Sequence, residues 1–229
     1  LVVRADLPIS SPADLAGKRI AVPFGSTSYY LLLSLLRLEH VPDNSVTLLD
    51  MLPSQAQAAW DRREIDGAWL WETALHQMVE GGGRILIDNS DMAKRGLPVG
   101  DIAVATNALA DTRPDLVIRY VQSECTAIAF WHGHPQETAE IVSRELGIGL
   151  SDAKRMINGT EVIPCSEQMT PAYLGQDGDA GVFARSLHPI ARFLFGQRRI
   201  TKVPADRNFD NFFRRWFLNA AWADETVQQ

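Results

Sequence analysis

The sequence predicts an α/β protein whose first hundred residues alternate strands with helices and whose remainder is mainly helical. Three observations carry this expectation. Short apolar or β-branched runs near residues 20, 46 and 65 are each followed by a run of helical periodicity, the succession that builds a mostly parallel sheet with helical crossovers. The stretch Arg19 to Glu39 reads as strand, tight glycine turn and helix. From Arg113 onward the pattern turns to helix after helix, with prolines near several helix starts.

Taken in order, Ile20, Ala21 and Val22 form a buried strand, which Pro23 and Gly25 break. The helix that follows opens on hydroxyls, so Ser26, Thr27 or Ser28 caps it. Val46 to Leu49 is a second strand, and Pro53 opens a helix with Ala56, Ala59 and Trp60 on one side. Ile65 to Trp71 is expected as a strand carrying Trp69 and Trp71 on one face. Glu72 to Glu80 is helical and stops at Gly81, Gly82 and Gly83, before a strand from Arg84 to Ile87. GLPVGDIAVAT is a further strand with Asp101 at its start. Helices then cover Arg113 to Trp131, Pro135 to Leu146, Ser151 to Asn158, Asp179 to Phe195 and Phe209 to Trp222. No internal repeat or low-complexity linker interrupts them.

A hydrophobic share of 46% with 22% charged residues is that of an ordinary folded protein, and no apolar run reaches membrane-spanning length. The net charge of −6 argues against a nucleic-acid partner, and the pairs Arg198, Arg199 and Arg214, Arg215 read as solvated helix ends. Cys125 and Cys165 fit neither a disulfide scaffold nor a zinc site, and the sequence leans against a bridge between them. The histidine pair in WHGHP reads as a loop between helices, so no metal site is expected. No G-x-S-x-G elbow and no local cysteine signature occurs, so no catalytic residue is assigned. The chain opens on LVVRADLP without initiator methionine or signal peptide, which reads as a processed, trimmed or fragmentary start.

The strand–turn–helix at 19–39 is a candidate anion cradle. Gly25 lets a ligand approach the backbone, and the first helical turn aims unpaired N–H groups and the positive end of the helix dipole at it. No lysine follows the glycine, and the glycine spacing fits neither a P-loop nor a dinucleotide fingerprint, which argues against a nucleotide. A sulfonate, sulfate, carboxylate or phosphate remains. The competing interpretation is that Ser26 and Thr27 only cap a helix. Trp71, at a strand's carboxyl end, is a candidate contact, with Trp69 second, although tryptophans on strands are usually core.

Together, SPADLAGKRIAVPFGSTSYYLLL, AAWDRREIDGAWLWE and GLPVGDIAVAT resemble the substrate-binding proteins of taurine and alkanesulfonate ABC importers, which are type II periplasmic binding proteins. The resemblance implies two lobes joined by a hinge. Residues 9–99 would be the second lobe, and residues 1–8 and 100–229 the hinge strands and the mainly helical rest of the first, whose opening βα segment is missing here. It implies no catalysis and no cofactor, a periplasmic location, a membrane permease as partner, and taurine or another small sulfonate as ligand. On the family pattern Ser26, Thr27 and Ser28 hold the sulfonate, Tyr30 joins them, and Trp69 or Trp71 walls the methylene arm. Asp101 faces the ammonium, with Glu72 and Asp66 as second choices, although Asp66 also reads as a turn residue capping backbone N–H groups. The missing segment would leave apolar helix faces that invite self-association. Two alternatives are a thiamine-pyrimidine synthase-like enzyme, whose cysteine-rich motif and lysine beside a histidine are not evident, and the ligand-sensing domain of a regulator.

Overall fold

The computed structural model describes residues 1–176, 179–205 and 213–222. Its contacts divide the chain into two compact units, Leu1–Gly100 with His188–Val203, and Asp101–Leu187 with Pro204–Gln229. The first unit thus gains, beyond the expected 9–99, both the opening strand and a segment from the distant helical half.

In the first unit the strands are β1 (Val2–Arg4), β2 (Arg19–Val22), β3 (Thr47–Asp50), β4 (Gly67–Ala68) and β5 (Gly83–Ile85). They form one sheet in the order β3-β2-β4-β1-β5. β2 runs parallel to β3 and to β4, whereas β1 is antiparallel to both β4 and β5. The sheet is therefore mixed rather than mostly parallel. Helical crossovers impose parallel pairing on β2, β3 and β4, and no crossover ties β1 to them.

The helices are α1 (Thr27–Leu38), α2 (Pro53–Asp61), α3 (Ala74–Glu80) and α4 (Asn89–Lys94). Strand alternation sorts the core into two layers. Ile20 and Val22 pack with Leu31, Leu32, Leu35 and Leu36 of α1, while Ala21 between them packs with Ala56, Ala59 and Trp60 of α2 and Met78 of α3. So α1 covers one face of the sheet, and α2 and α3 cover the other. Arg4 ties the second layer to the sheet. Its guanidinium lies 4.2 Å above the Trp60 ring and donates to the Trp60 carbonyl, and Nε donates to the Ile65 carbonyl at 2.9 Å. Asp66 accepts the Arg19 N–H at 2.8 Å and pairs with the Arg19 guanidinium at 2.9 Å, in keeping with its expected place as a turn residue.

The expected strand Ile65–Trp71 narrows to Gly67–Ala68 in the ladder, and a Cβ on Gly67 would stand 2.8 Å from the Val2 carbonyl. One more bond, from the Trp69 N–H to the Ala21 carbonyl, prolongs the pairing before the chain turns away.

The second unit holds α5 (Asn107–Thr112), α6 (Pro114–Gly133), α7 (Pro135–Leu146), α8 (Leu150–Gly159) and α9 (Cys165–Gln168). A small hairpin of β6 (Gly175–Gln176) and β7 (Asp179–Ala180) follows, then α10 (Val182–Gly196), with α11 (Trp216–Trp222) near the end. Residues Val182–Leu187 of α10 count with this unit and His188–Gly196 with the first. Several expectations change here. Asp101–Thr106 forms no strand and is exposed throughout, because no described strand offers it a ladder. The expected loop WHGHP is helical as far as Gly133. Residues 179–180 join a hairpin instead of opening a helix, and of the expected helix Phe209–Trp222 residues 209–212 lie outside the described residues.

Cys125 and Cys165 do pair, which corrects the expectation from their spacing. The helices bring them together: α6 and α9 share a small core in which both cysteines are buried beside Leu218 of α11. Arg215, buried at 5% exposure, braces this core by donating from Nε and Nη2 to the Leu174 carbonyl at 3.0 and 2.7 Å.

The bridge spans 40 positions of sequence. By loop-closure entropy it contributes about 3–4 kcal/mol to the stability of the oxidised chain. Chemical denaturation with and without a strong thiol reductant is expected to lower the midpoint of a transition belonging to the second unit. An unchanged midpoint would show that the helices hold the same arrangement without the bond.

Candidate anion site

The site begins at the end of β2. Pro23 cannot donate to a ladder, Asp50 at the end of β3 takes the Phe24 N–H at 2.8 Å, and Gly25 then turns the chain at a φ of +83°. That left-handed conformation suits glycine and strains other residues. Ser26 is the N-cap of α1. Its Oγ accepts from the Tyr29 N–H at 3.1 Å and donates to the Pro23 carbonyl at 2.6 Å, so its hydroxyl is fully occupied. This is the bland capping role for Ser26.

What the cap leaves over is more telling. The N–H groups of Thr27 and Ser28, the first two of α1, have no partner among the described residues. Ser28 as a residue is only 7% exposed, and its hydroxyl also has no hydrogen-bond partner there. The sealed orphan atoms among the described residues are Gln57 Oε1, Trp60 Nε1 and Thr138 Oγ1, so the Ser28 hydroxyl retains a path to the surface. The Thr27 side chain is exposed beside it.

The aromatic residues fix this turn rather than line it. Phe24 stacks on Tyr29 with ring centroids 4.5 Å apart, and Phe193 of α10 meets Tyr29 and Tyr30 edge-on at 5.7 and 5.2 Å. Tyr30, expected at the ligand, is 6% exposed in the α1 core, where burial pushes its phenol upward. Burial pushes the Tyr29 phenol upward, Asp43 and Asp50 add to this, and Arg199 opposes it. Arg199 comes from the turn after α10, where Arg198 adopts a φ of +56° and the Arg199 N–H closes on the Leu194 carbonyl at 2.9 Å. Its side chain rests on Gly25, 3.4 Å from the position a Cβ would take.

The remaining candidates fall in different places. Trp69 is 2% exposed in the α1 layer, with its indole Nε1 3.4 Å from Asn89 Oδ1, whereas Trp71 is 48% exposed beyond the end of β4. The two indoles do not form one wall. Glu72 is exposed and lines a cleft of about 420 Å³ with Ser54, Gln57, Thr73 and Gln77 at the starts of α2 and α3. Asp101 is the exposed first residue of the second unit.

β2 and β4 are parallel neighbours, yet α1 leaves β2 for one face and α3 leaves β4 for the other. Such a divergence opens a crevice at the carboxyl ends of the strands, where open α/β sheets take their ligands. The start of α1 and the cleft beside Glu72 both lie at that edge.

The NMT1/THI5-like family matches residues 1–138 of the 229. The chain belongs to that family. The taurine-binding periplasmic protein of Escherichia coli (strain K12) is 29% identical over 205 residues, which cover 86% of this chain and 61% of that protein. Among solved structures, the periplasmic aliphatic sulphonate binding protein SsuA from Escherichia coli superposes with a TM-score of 0.76 at 19% identity, covering 93% of this chain and 64% of that one. The desulfurization enzyme DSZB, in complex with biphenyl-2-sulfinic acid, does so at 0.62 and 17%, covering 97% and 75%. This chain therefore spans a little under two thirds of the taurine-binding and SsuA relatives, and it shares their α/β periplasmic binding protein fold.

Two substitutions separate capping from ligand holding. Ser26→Ala is expected to cost about 1 kcal/mol of stability while leaving anion affinity within about twofold, that is, within about 0.4 kcal/mol. Gly25→Ala forces a left-handed alanine, at about 1–2 kcal/mol, and is expected to weaken anions as well because the turn must shift. Denaturant melts and anion titration of both variants check this, and a large affinity loss in Ser26→Ala would contradict the capping role.

Proposed function

We propose that this chain acts as the substrate-binding component of an ABC importer, and that it takes taurine or a related small sulfonate. The observation that carries the reading is the start of α1, where two unpaired N–H groups and the surface-accessible, unpartnered hydroxyl of the otherwise buried Ser28 meet the positive end of the helix dipole. In this reading the sulfonate oxygens accept from the Thr27 and Ser28 N–H groups and from the Ser28 hydroxyl. Gly25 makes the left-handed turn that presents them, with the Arg199 side chain resting against it. Trp71 offers an exposed aromatic surface for a methylene arm.

For an aminosulfonate the ammonium needs a counter-charge, and Asp101 is proposed for it on the family resemblance, with Glu72 as the substitute. The permease is the proposed membrane partner and the periplasm the proposed location. The Cys125–Cys165 bridge supports an oxidising compartment. The taurine- and sulfonate-binding names of the relatives agree with the site's chemistry. Self-association finds no support in the comparisons.

Calorimetric titration with taurine, a longer alkanesulfonate, sulfate and nitrate tests the reading. Sulfonates are expected to bind more tightly than nitrate, and the absence of binding by every sulfonate would refute it. Asp101→Asn is expected to weaken taurine about tenfold or more, the loss of one charge-assisted hydrogen bond, with a smaller effect on simple alkanesulfonates. Equal losses for both ligands would remove Asp101 from the amine site.

A further inference from the structure

Arg199 reaches from the turn after α10 to the turn at Gly25. An arginine just after a helix usually bonds back to that helix's last carbonyls or extends into water. This one instead crosses to Gly25, where its Nε, Cζ and Nη2 lie 3.4–3.6 Å from the Cβ position the glycine lacks. The approach has two structural causes. Phe193 wedges against Tyr29 and Tyr30 and holds the end of α10 beside α1, and Arg198, at a φ of +56°, turns the chain so that position 199 faces the β2–α1 turn.

The charges make this placement informative. The guanidinium forms no hydrogen bond or ion pair among the described residues. Asp50, the acid on the same turn, accepts from the Phe24 N–H and does not pair with Arg199. A cation is thus brought against a helix start that is itself positive, an arrangement that favours an intervening anion.

We propose that Arg199 is a ligand-binding residue of the α1 anion site: its guanidinium donates to the oxyanion from the side of Gly25, while the Thr27 and Ser28 N–H groups and the Ser28 hydroxyl donate from the helix. The proposal rests on the reading that the α1 start holds a sulfonate, and it narrows the ligand class to strong-acid anions with several equivalent oxygens. A planar fork suits two oxygens of a tetrahedral group, and a fixed cation penalises ligands that are uncharged at the binding end.

The test is titration of the whole chain, Arg199→Gln and Arg199→Lys with taurine, a simple alkanesulfonate and inorganic sulfate, at low and raised salt. Arg199→Gln is expected to weaken all three anions by about tenfold or more and to flatten the salt dependence, with an unchanged melting temperature. Arg199→Lys should recover part of the affinity. Binding by Arg199→Gln within twofold of the parent chain, for every anion that the parent binds, would overturn the proposal. If the parent binds sulfate but neither sulfonate, the sulfonate reading fails and the sulfate arm still decides Arg199. If the parent binds none of the three, both fail. Should Arg199→Gln melt lower than the parent, Arg199→Lys decides: affinity recovered in part relative to the glutamine variant, with the parent's salt slope, would support the proposal, and a loss of affinity as large as the glutamine variant's would contradict it.

Discussion

The first unit depends on how β2 becomes α1. β2 is buried on both faces, so its backbone is committed to neighbouring strands up to Val22. The chain must then reverse into a helix lying on one of those faces. Gly25 allows the reversal by taking a φ of +83°, and Ser26 completes it by capping α1 with its own hydroxyl. Because the cap is satisfied from within, the next two N–H groups remain for something outside the fold. The same turn sets Phe24 and Tyr29 face to face and gives Phe193 a surface to pack on, and so the end of α10, with Arg199, belongs to the first unit.

Much of this was legible in the sequence because it is local. The β-branched run, the glycine, the hydroxyls and the apolar helix repeat lie within one continuous stretch, and each obeys a short-range rule. The same holds for α2, whose buried Ala56, Ala59 and Trp60 follow directly from helical spacing. What the sequence hid is set by distant partners. Tyr30 and Tyr29 are adjacent and chemically alike, and their burial is decided by Phe193, more than 160 residues away. Arg199 looked like a helix end because its contact with Gly25 is long-range. The hint was weak but present: an arginine pair closing an amphipathic helix whose phenylalanines needed an aromatic surface. Cys125 and Cys165 form no recognisable spacing, since the fold of α6 against α9 makes the pair, not their separation. The segment from Asp101 has strand composition without a described neighbour, and a strand exists only with one.

The two units differ in what organises them. In the first, a sheet aligns three helix starts at one edge, so polar groups from separate stretches share one rim without any of them leaving its element. In the second, helices pack on one another, and a disulfide and the buried Arg215 supply the long-range ties that a sheet would otherwise give. Because a sheet backs the edge that carries the Thr27 and Ser28 N–H groups, an anion received there, as proposed, would not need to reorder the backbone that presents them.

The central claim is that the start of α1 receives the anion. Backbone amide resonances of the isotope-labelled chain, followed during titration with taurine, test it most directly. The account predicts that the Thr27 and Ser28 amides move furthest and saturate together with the calorimetric isotherm. Saturable binding with those two amides unmoved and the main shifts elsewhere would contradict it.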